Sequence, residues 1–294
     1  MAQRPAGAPL PAPPRLPCGG RRPGAPRVIA RHDSLPHRRT PAHPLRVGLI
    51  GFGKTGGSLV RLADQRDDID VTWVVRRTAG AAGPGEADHP PVFSTSNTCA
   101  RWLFANHPVD AVIDFSSPTG LEFYGDAAAA AGASIVNAVS AVERDAHTRF
   151  RRWSSRTRVL WSPNITLGIN VMMLLAQTLR AVDPCADIEI VEEHFRGKRE
   201  TSGTALRLAD SLGVAAEAVK SVRAGGIVGT HEVIFGSDHQ TVRLRHESIS
   251  REAFADGALF AARQLQGRPN GLYRMEDLLV PYVDAVRYPG ALTA

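Results

Sequence analysis

Short apolar runs alternate with longer amphipathic stretches along the chain from residue 47 onward. Residues 47–50 (Val-Gly-Leu-Ile) predict a buried strand that ends in glycines, and residues 55–65 carry apolar side chains at helical spacing. Further buried strands are predicted at residues 71–75, 110–115, 134–136 and 159–161. Because helical stretches separate most of these strands, the pattern predicts an α/β fold with a doubly wound parallel sheet.

The pattern changes after about residue 165, where the strands become longer and the sheet is expected to be more open. Strands are predicted at residues 186–193, 222–235 and 241–246, and helices at residues 203–212 and 253–265. We therefore expect a smaller α+β domain with a mixed sheet, inserted at residues 165–249. The first domain would comprise residues 47–164 together with residues 250–294.

Residues 1–46 differ from the rest of the chain in composition. They contain nine arginines, one aspartate and eleven of the 21 prolines, without apolar periodicity, so we predict a disordered leader. The leader could be a transit peptide or a basic arm that touches nucleic acid, but its composition favours a start codon assigned too early or a plain tail.

Net charge and cysteine content limit the function classes. The chain carries a formal charge of +6 and the leader +8, which leaves −2 for the remainder, so we expect no nucleic-acid binding by the folded part. No apolar run is long enough to span a membrane. Three widely spaced cysteines, Cys18, Cys99 and Cys185, fit a reducing compartment, so we expect a cytoplasmic protein without a metal site.

A glycine-rich turn follows the first predicted strand and opens the first predicted helix. Its pattern is Gly51-x-Gly53-x-x-Gly56, in which the glycines allow a tight turn, close approach of a pyrophosphate and close helix–strand packing. The turn predicts a Rossmann domain that binds NADPH or NADH at the helix N-terminus. The predicted cofactor-binding residues of the turn are Gly51, Phe52, Gly53, Lys54, Thr55 and Gly56.

The same turn overlaps the phosphate-loop pattern of nucleoside triphosphatases. Gly48 followed by Gly53, Lys54 and Thr55 satisfies that pattern letter for letter. A phosphate loop begins after its strand ends, and a loop that began at Gly48 would leave almost no strand before it. The sequence therefore favours the dinucleotide site, with a nucleoside triphosphatase as an alternative.

Two arginines, Arg76 and Arg77, follow the second predicted strand, where the residue that contacts the adenosine ribose is expected. An acidic residue there favours NAD, whereas arginine accommodates the 2′-phosphate of NADP. The pair favours NADPH, although both arginines could equally be solvated charges in an arginine-rich chain.

A second cluster of polar residues lies at residues 193–205. His194 can donate a proton near neutral pH, and Lys198 can form charge-assisted bonds with carboxylates. Residues 202–204 open a predicted helix whose amides favour an anion. Beside a dinucleotide site, the cluster predicts a reductase of a small anionic substrate. Alternatively, Ser202 is an ordinary helix cap and His194 a half-buried strand residue.

In order and spacing, these motifs make residues 47–279 resemble the dihydrodipicolinate reductase family. The motifs are the turn at Gly51, residues 113–116 (Ile-Asp-Phe-Ser), residues 162–171, residues 193–205, residues 222–225 and residues 246–257. The resemblance implies reduction of 4-hydroxy-tetrahydrodipicolinate to tetrahydrodipicolinate in lysine and diaminopimelate biosynthesis. It also implies a Rossmann domain, a small mixed-sheet domain and a homotetramer assembled through the small sheet.

The resemblance assigns expected roles residue by residue. His194 matches the catalytic general acid of the family, and Lys198 matches the lysine that contacts the small dicarboxylate substrate. Ser202, Gly203 and Thr204 match the turn that binds a substrate carboxylate, and Arg196 is expected to bind the substrate because its charge suits a carboxylate. Further cofactor contacts are expected from Phe115, Ser116, Asn164 and Thr166.

Three departures from the family pattern leave other functions open. Phe195 replaces the second of two adjacent histidines, residues 199–201 replace a longer Asp-Ala-Pro stretch, and residues 138–141 (Ala-Val-Ser-Ala) replace a glycine-containing loop near the nicotinamide. An oxidoreductase acting on another small imino or keto acid, or a non-catalytic NADP-binding sensor, therefore remains an alternative.

Overall fold

The computed structural model describes residues 43–78 and 90–287, with side chains to residue 285. Most of the predicted leader lies outside these residues. The strands are β1 (Leu45–Ile50), β2 (Ile69–Arg76), β3 (Val92–Ser94), β4 (Ala111–Asp114), β5 (Ser134–Asn137), β6 (Arg158–Trp161), β7 (Asp187–His194), β8 (Lys220–Arg223), β9 (Thr230–Ser237), β10 (Gln240–Glu247) and β11 (Gly271–Tyr273). The α-helices are α1 (Lys54–Ala63), α2 (Ala100–Asn106), α3 (Leu121–Ala131), α4 (Ala146–Ser154), α5 (Leu167–Val182), α6 (Gly203–Leu212), α7 (Glu252–Leu265) and α8 (Met275–Arg287).

The larger sheet has seven parallel strands in the order β11-β6-β5-β4-β1-β2-β3. From β1 the chain winds to β3 on one side and to β11 on the other, which confirms the predicted doubly wound fold. The direction reverses between β1 and β4, and in such sheets ligands bind beside the carboxyl ends of the strands at this switch point.

Helices cover both faces of the larger sheet. On one face, α1, α7 and α8 pack side chains such as Leu59, Leu259 and Leu278 against β1 and β4. On the other face, α2, α3 and α4 contribute the buried Phe104, Tyr124 and Phe150 respectively. Both faces are therefore dry, which explains why the strand sequences are apolar runs rather than alternating patterns.

The smaller sheet has four strands in the order β10-β9-β7-β8. Strands β7 and β8 are parallel, whereas β9 is antiparallel to both β7 and β10, so the sheet is mixed as predicted. Helices α5 and α6 cover one face through a core that includes Met173, Leu208 and Val233. After β10, α7 packs on α1 and β11 pairs with β6, so the chain returns to the larger sheet. The boundaries of the two predicted domains stay a prediction.

The predicted boundaries of two segments are wrong. The leader was expected to reach residue 46, but β1 begins at Leu45, which is buried and pairs with Ile69, while Arg46 forms an ion pair with Asp110 at 2.8 Å. The strand predicted at residues 222–235 is two strands, because the chain turns between β8 and β9 at Gly225, where φ is +47°. Within the part of the chain that the structure describes, no helix is long and apolar enough to cross a membrane.

Candidate active site

The glycine turn lies at the switch point, between the end of β1 and the start of α1. Gly51 has φ of +94°, and a Cβ atom there would lie 2.8 Å from the backbone of Phe115 and Ser116. A Cβ atom on Gly56 would lie 2.1 Å from the carbonyl oxygen of Gly51. A Cβ atom on Gly53 would meet nothing within 4 Å, so no packing contact explains this glycine, and the space beside it is open to a ligand.

A cavity of about 900 Å³ opens beside this turn. Seven predicted cofactor residues line it: Gly51, Phe52, Gly53, Arg76, Arg77, Phe115 and Ser116. Lys54, Thr55 and Gly56 instead form the first turn of α1, and Asn164 and Thr166 lie outside the cavity wall. Nine further residues that were not predicted also line the cavity: Ile50, Val75, Thr78, Thr95, Ser117, Thr119, Gly120, Glu122 and Phe123.

Arg76 and Arg77 lie at the carboxyl end of β2, beside the cavity. The Nε atom of Arg76 is buried and has no hydrogen-bond partner within residues 43–78 and 90–287. A buried donor without a partner is costly, and an anionic ligand group would satisfy it. This side chain therefore fits the phosphate of a bound nucleotide.

Gly48 lies inside β1 rather than in a loop. It pairs with Trp73 of β2, and a Cβ atom on Gly48 would lie 2.3 Å from the Trp73 ring. A phosphate loop cannot begin within a buried strand. The nucleoside triphosphatase alternative is therefore wrong, because the glycine that starts its pattern serves the packing of Trp73.

A buried carboxyl group supports the cavity wall at Ser116. Asp114 is fully buried at the end of β4 and accepts hydrogen bonds from the backbone N of Ser116 at 2.8 Å and from its Oγ at 2.6 Å. Asn137 Nδ2 donates to the other oxygen at 3.0 Å. Burial raises the pKa of Asp114 to about 6, although the hydrogen bonds from Ser116 act in the opposite direction.

His194 ends β7 and is only 8% exposed. Its Nδ1 atom is hydrogen-bonded to Oε2 of Glu192, which lies two residues earlier on the same face of the strand and is fully buried. Burial lowers the pKa of His194 below its usual range, and Lys198 and Arg223 lower it further, whereas Glu192 raises it. With Nδ1 bound to a carboxylate, Nε2 is the ring nitrogen available for proton transfer.

Glu192 receives several hydrogen bonds that keep it ionised. Arg223 of β8 donates to both of its oxygens, at 2.6 and 3.0 Å, and Ser221 Oγ donates to Oε1 at 2.6 Å. Burial acts to raise the pKa of Glu192, but the bonds from Arg223, Ser221 and His194 outweigh it and lower that pKa to about 2.

Ser202 is the N-cap of α6, which is the alternative role predicted for it from the sequence. Its Oγ accepts a hydrogen bond from the backbone N of Thr204 at 3.2 Å and is hydrogen-bonded to His231 Nε2 at 2.9 Å. The His231 ring lies 5.4 Å from the His194 ring, centroid to centroid. His194 and the start of α6 therefore belong to one connected cluster, in which burial lowers the pKa of His231 to about 3.

The same helix start contacts the segment between the two sheets. Thr204 Oγ1 donates to Asn164 Oδ1 at 2.6 Å, and Asn170 Nδ2 donates to the backbone oxygens of Asn164 and Thr166 at 2.6 and 2.7 Å. The Nδ2 atom of Asn164 is buried without a hydrogen-bond partner in the described part of the chain. A donor is thus left for a ligand beside the predicted substrate turn.

The two predicted cations differ in their surroundings. Lys198 is half-buried, and among the described residues its ammonium group forms no ion pair, which leaves its charge available to an anion. Arg196 is exposed, and its backbone N donates to the oxygen of Gly225 at 3.1 Å. The structure does not bring the Arg196 side chain into the His194 cluster.

The departures from the family pattern cause no strain. Phe195 is 48% exposed, whereas His194 is buried. Among the described residues, no residue other than glycine has a positive φ, so Ala138 and Ala141 adopt ordinary backbone conformations. The altered loop at residues 138–141 therefore does not need glycine in this chain.

Four residues of the cluster were missed by the sequence analysis: Glu192, Ser221, Arg223 and His231. One signal was present, because Glu192 lies near the end of a predicted strand, where residues two apart share a face, and a glutamate on a buried face is rarely unpaired. The partners on β8 and β9 were not accessible, because strand pairing could not be derived from the sequence.

Comparison with known proteins identifies the family of the chain. The family model for the N-terminus of dihydrodipicolinate reductase matches residues 45–165, and the model for its C-terminus matches residues 168–279. A 4-hydroxy-tetrahydrodipicolinate reductase from Stenotrophomonas maltophilia is 35% identical over 243 residues, which cover 80% of this chain and 98% of that protein. One from Halorhodospira halophila is 32% identical over 266 residues, which cover 80% of this chain and 98% of that protein.

A solved structure agrees with this assignment at the level of the fold. The dipicolinate-bound dihydrodipicolinate reductase from Paenisporosarcina sp. superposes with a TM-score of 0.67 at 20% identity, over 80% of this chain and 99% of that chain. Because the family models together cover both sheets, the chain belongs to the dihydrodipicolinate reductase family.

Proposed function

We propose that the protein is an NAD(P)H-dependent reductase that converts 4-hydroxy-tetrahydrodipicolinate to tetrahydrodipicolinate in lysine and diaminopimelate biosynthesis. The observation that carries the proposal is the cluster at the end of β7. There a histidine with one ring nitrogen available, a lysine without an ion pair among the described residues and the N-terminus of α6 lie together in a chain of the dihydrodipicolinate reductase family.

The chemistry follows from these groups. Bound NADPH or NADH would supply a hydride. Hydride addition to a conjugated imine leaves negative charge on a neighbouring atom, which the Nε2–H of protonated His194 neutralises by proton transfer. Lys198 holds a carboxylate by a charge-assisted bond, and the start of α6 at Ser202, Gly203 and Thr204 favours an anion through the helix dipole.

The cofactor preference is part of the proposal. The cavity beside the glycine turn belongs to the domain that matches the N-terminal family model. The buried Nε of Arg76, which has no hydrogen-bond partner in the described part of the chain, supports NADPH rather than NADH, because the 2′-phosphate supplies acceptors that NADH lacks. Phe115 and Ser116 line the same cavity and are proposed to contact the cofactor there. Asn164 and Thr166 are proposed to approach the nicotinamide end of the cofactor.

Three further proposals complete this interpretation. The inserted domain at residues 165–249 binds the substrate and mediates oligomerisation, and we propose a homotetramer through the outer face of the smaller sheet, testable by light scattering. We also propose a cytoplasmic location, which the free, exposed Cys99 and Cys185 support. Arg196 is proposed to reach the substrate only if the loop that carries it moves.

A coupled assay tests the function. Pyruvate, aspartate semialdehyde and the upstream synthase generate the substrate, and loss of NADPH absorbance reports turnover. We expect His194→Ala to lower kcat by about 10²-fold or more, and Lys198→Ala mainly to raise KM. No turnover by the wild type, or undiminished turnover by the double variant, would end the proposal.

One observation favours a second candidate function, reduction of another small imino or keto acid. Phe195 presents an exposed apolar ring where the family commonly has a polar one, which would suit a less polar imino or keto acid. A panel of small imino and keto acids discriminates, because strict preference for the dipicolinate precursor removes this candidate. Tight NADPH binding without turnover of any of them would instead favour a sensor.

A further inference from the structure

A buried ion pair underlies the His194 cluster. Glu192 is fully buried, and the side chain of Arg223 on the neighbouring strand β8 is 19% exposed. Their nitrogen and oxygen atoms meet at 2.6 and 3.0 Å, a bidentate geometry across the parallel β7–β8 pair. A buried pair of this kind is weak evidence for stability, because desolvation offsets most of the attraction. Stability therefore does not explain why the pair is present, and its position beside the predicted site suggests a functional role.

Each member of the pair contacts a different part of the predicted site. Glu192 binds His194 Nδ1 and also accepts from the backbone N of Ser202 at 3.4 Å. Arg223 donates through Nε to the backbone oxygen of Lys198 at 2.8 Å and through a terminal nitrogen to that of Glu200 at 2.9 Å. The general acid, the lysine loop and the carboxylate-binding turn are thus tied to one ion pair.

We propose that Glu192 and Arg223 are positioning residues for the reaction: Glu192 fixes the tautomer, orientation and charge of His194, and Arg223 fixes the loop that carries Lys198. This inference rests on the proposed function and goes beyond it, because neither residue is expected to touch the substrate.

The charges around His194 explain why Glu192 is needed. The groups that face the ring are Glu192 from β7, Arg223 from β8, His231 from β9 and Lys198 from the loop. Of these four side chains, only Glu192 is negatively charged. Lys198 and Arg223 oppose protonation of His194, so the carboxylate keeps a protonated imidazole accessible beside the two cations.

The direct test is Glu192→Gln, with Glu193→Gln as the matched control. Glu193 is adjacent in sequence but lies on the other face of β7, where it is 3.7 Å from Arg245. Glu192→Gln should lower the pKa of His194, measured by NMR on histidine-labelled protein, by about one unit or more. The pH at which kcat/KM declines on the alkaline side should fall by the same amount. The control should leave both quantities unchanged.

A second variant separates the role of Arg223. Arg223→Lys keeps a positive charge but loses the planar fork that reaches the Lys198 and Glu200 carbonyls. It should raise KM for the substrate about tenfold, leave KM for NADPH unchanged, and shift the alkaline limb less than Glu192→Gln does. If Glu192→Gln does not fold, as judged by circular dichroism, Arg223→Lys decides the question alone.

The inference is overturned if Glu192→Gln leaves the His194 titration and the pH profile of the wild type intact, or if Arg223→Lys has wild-type constants. Its failure differs from failure of the proposed function. If the wild type does not reduce the dipicolinate precursor, the function is wrong, yet the NMR titration still shows whether Glu192 sets the state of His194.

Discussion

Replacement of Asp114 by Asn should stabilise the protein increasingly as the pH rises. The carboxyl of Asp114 is fully buried, and burial raises its pKa from 3.8 to about 6. Between these two pH values the folded state holds a proton that the unfolded chain has released. The contribution of Asp114 to stability is therefore complete below pH 3.8 and is lost as the pH rises through 6.

The magnitude follows from the size of the shift. A difference of about two pH units corresponds to about 3 kcal/mol between the acid and neutral limits. Asn cannot ionise, yet its Oδ1 can still accept the hydrogen bonds that Ser116 donates. The new amide NH2 group faces the NH2 group of Asn137, and two donors in contact destabilise the folded state. This penalty does not depend on pH, and rotation of the Asn137 amide by 180° removes it.

Urea unfolding from pH 4 to pH 8 measures the effect at fixed protein concentration. The free energy of unfolding of Asp114→Asn minus that of the wild type should rise by about 2–3 kcal/mol between pH 4 and pH 7 and then level off. Other titrating groups, including His231, occur in both proteins and cancel. A difference that is constant or falls with pH would refute the reasoning.

Asp126→Asn is a control for which the expected pH dependence of stability has the opposite sign. The pKa of Asp126 is lowered, chiefly by its hydrogen bond from Trp153 and also by Arg152. Its contribution to stability is present above the unfolded pKa and is lost as the pH falls. Asp126→Asn should therefore lose stability relative to the wild type as the pH rises, by an amount that solvent screening keeps small.

The remaining predictions concern the cofactor cavity. Gly56→Ala should cost about 1–3 kcal/mol of stability and weaken NADPH binding in calorimetry, because the new Cβ lies 2.1 Å from the Gly51 oxygen. Gly57→Ala is its control, since that Cβ meets only the flexible end of Arg61 at 3.5 Å, and it should bind NADPH normally and gain about 0.5–1 kcal/mol. Arg76→Ala should raise KM for NADPH about tenfold and leave KM for NADH unchanged; equal effects on both cofactors would contradict a 2′-phosphate contact.

Much of the fold could be predicted because its signals are local. The parallel strands of the larger sheet are buried on both faces, so residues 71–75 and 134–136 read as apolar runs. Two positions of the turn need glycine for steric reasons. A Cβ atom on Gly56 would meet the backbone of Gly51, and one on Gly51 would meet the backbone that follows β4. His194 was found because it shares a stretch of about a dozen residues with Lys198 and the helix start at residues 202–204, and because that stretch matches a family motif.

The rest depends on contacts between distant parts of the chain. Arg223 meets Glu192 across 31 residues only because β7 and β8 pair in one register, which no local pattern specifies. The cavity residue Thr95 follows a three-residue strand, too short to show periodicity. The strand predicted at residues 222–235 was wrong because β-branched residues on both sides concealed the turn at Gly225.

A crystal structure with NADPH and pyridine-2,6-dicarboxylate tests the central claim most directly. The account predicts one ligand carboxylate at the N-terminus of α6 within hydrogen-bond distance of Lys198 Nζ, with His194 Nε2 facing the ligand and the nicotinamide on its opposite side. A dicarboxylate bound elsewhere, with His194 and Lys198 touching neither molecule, would contradict it.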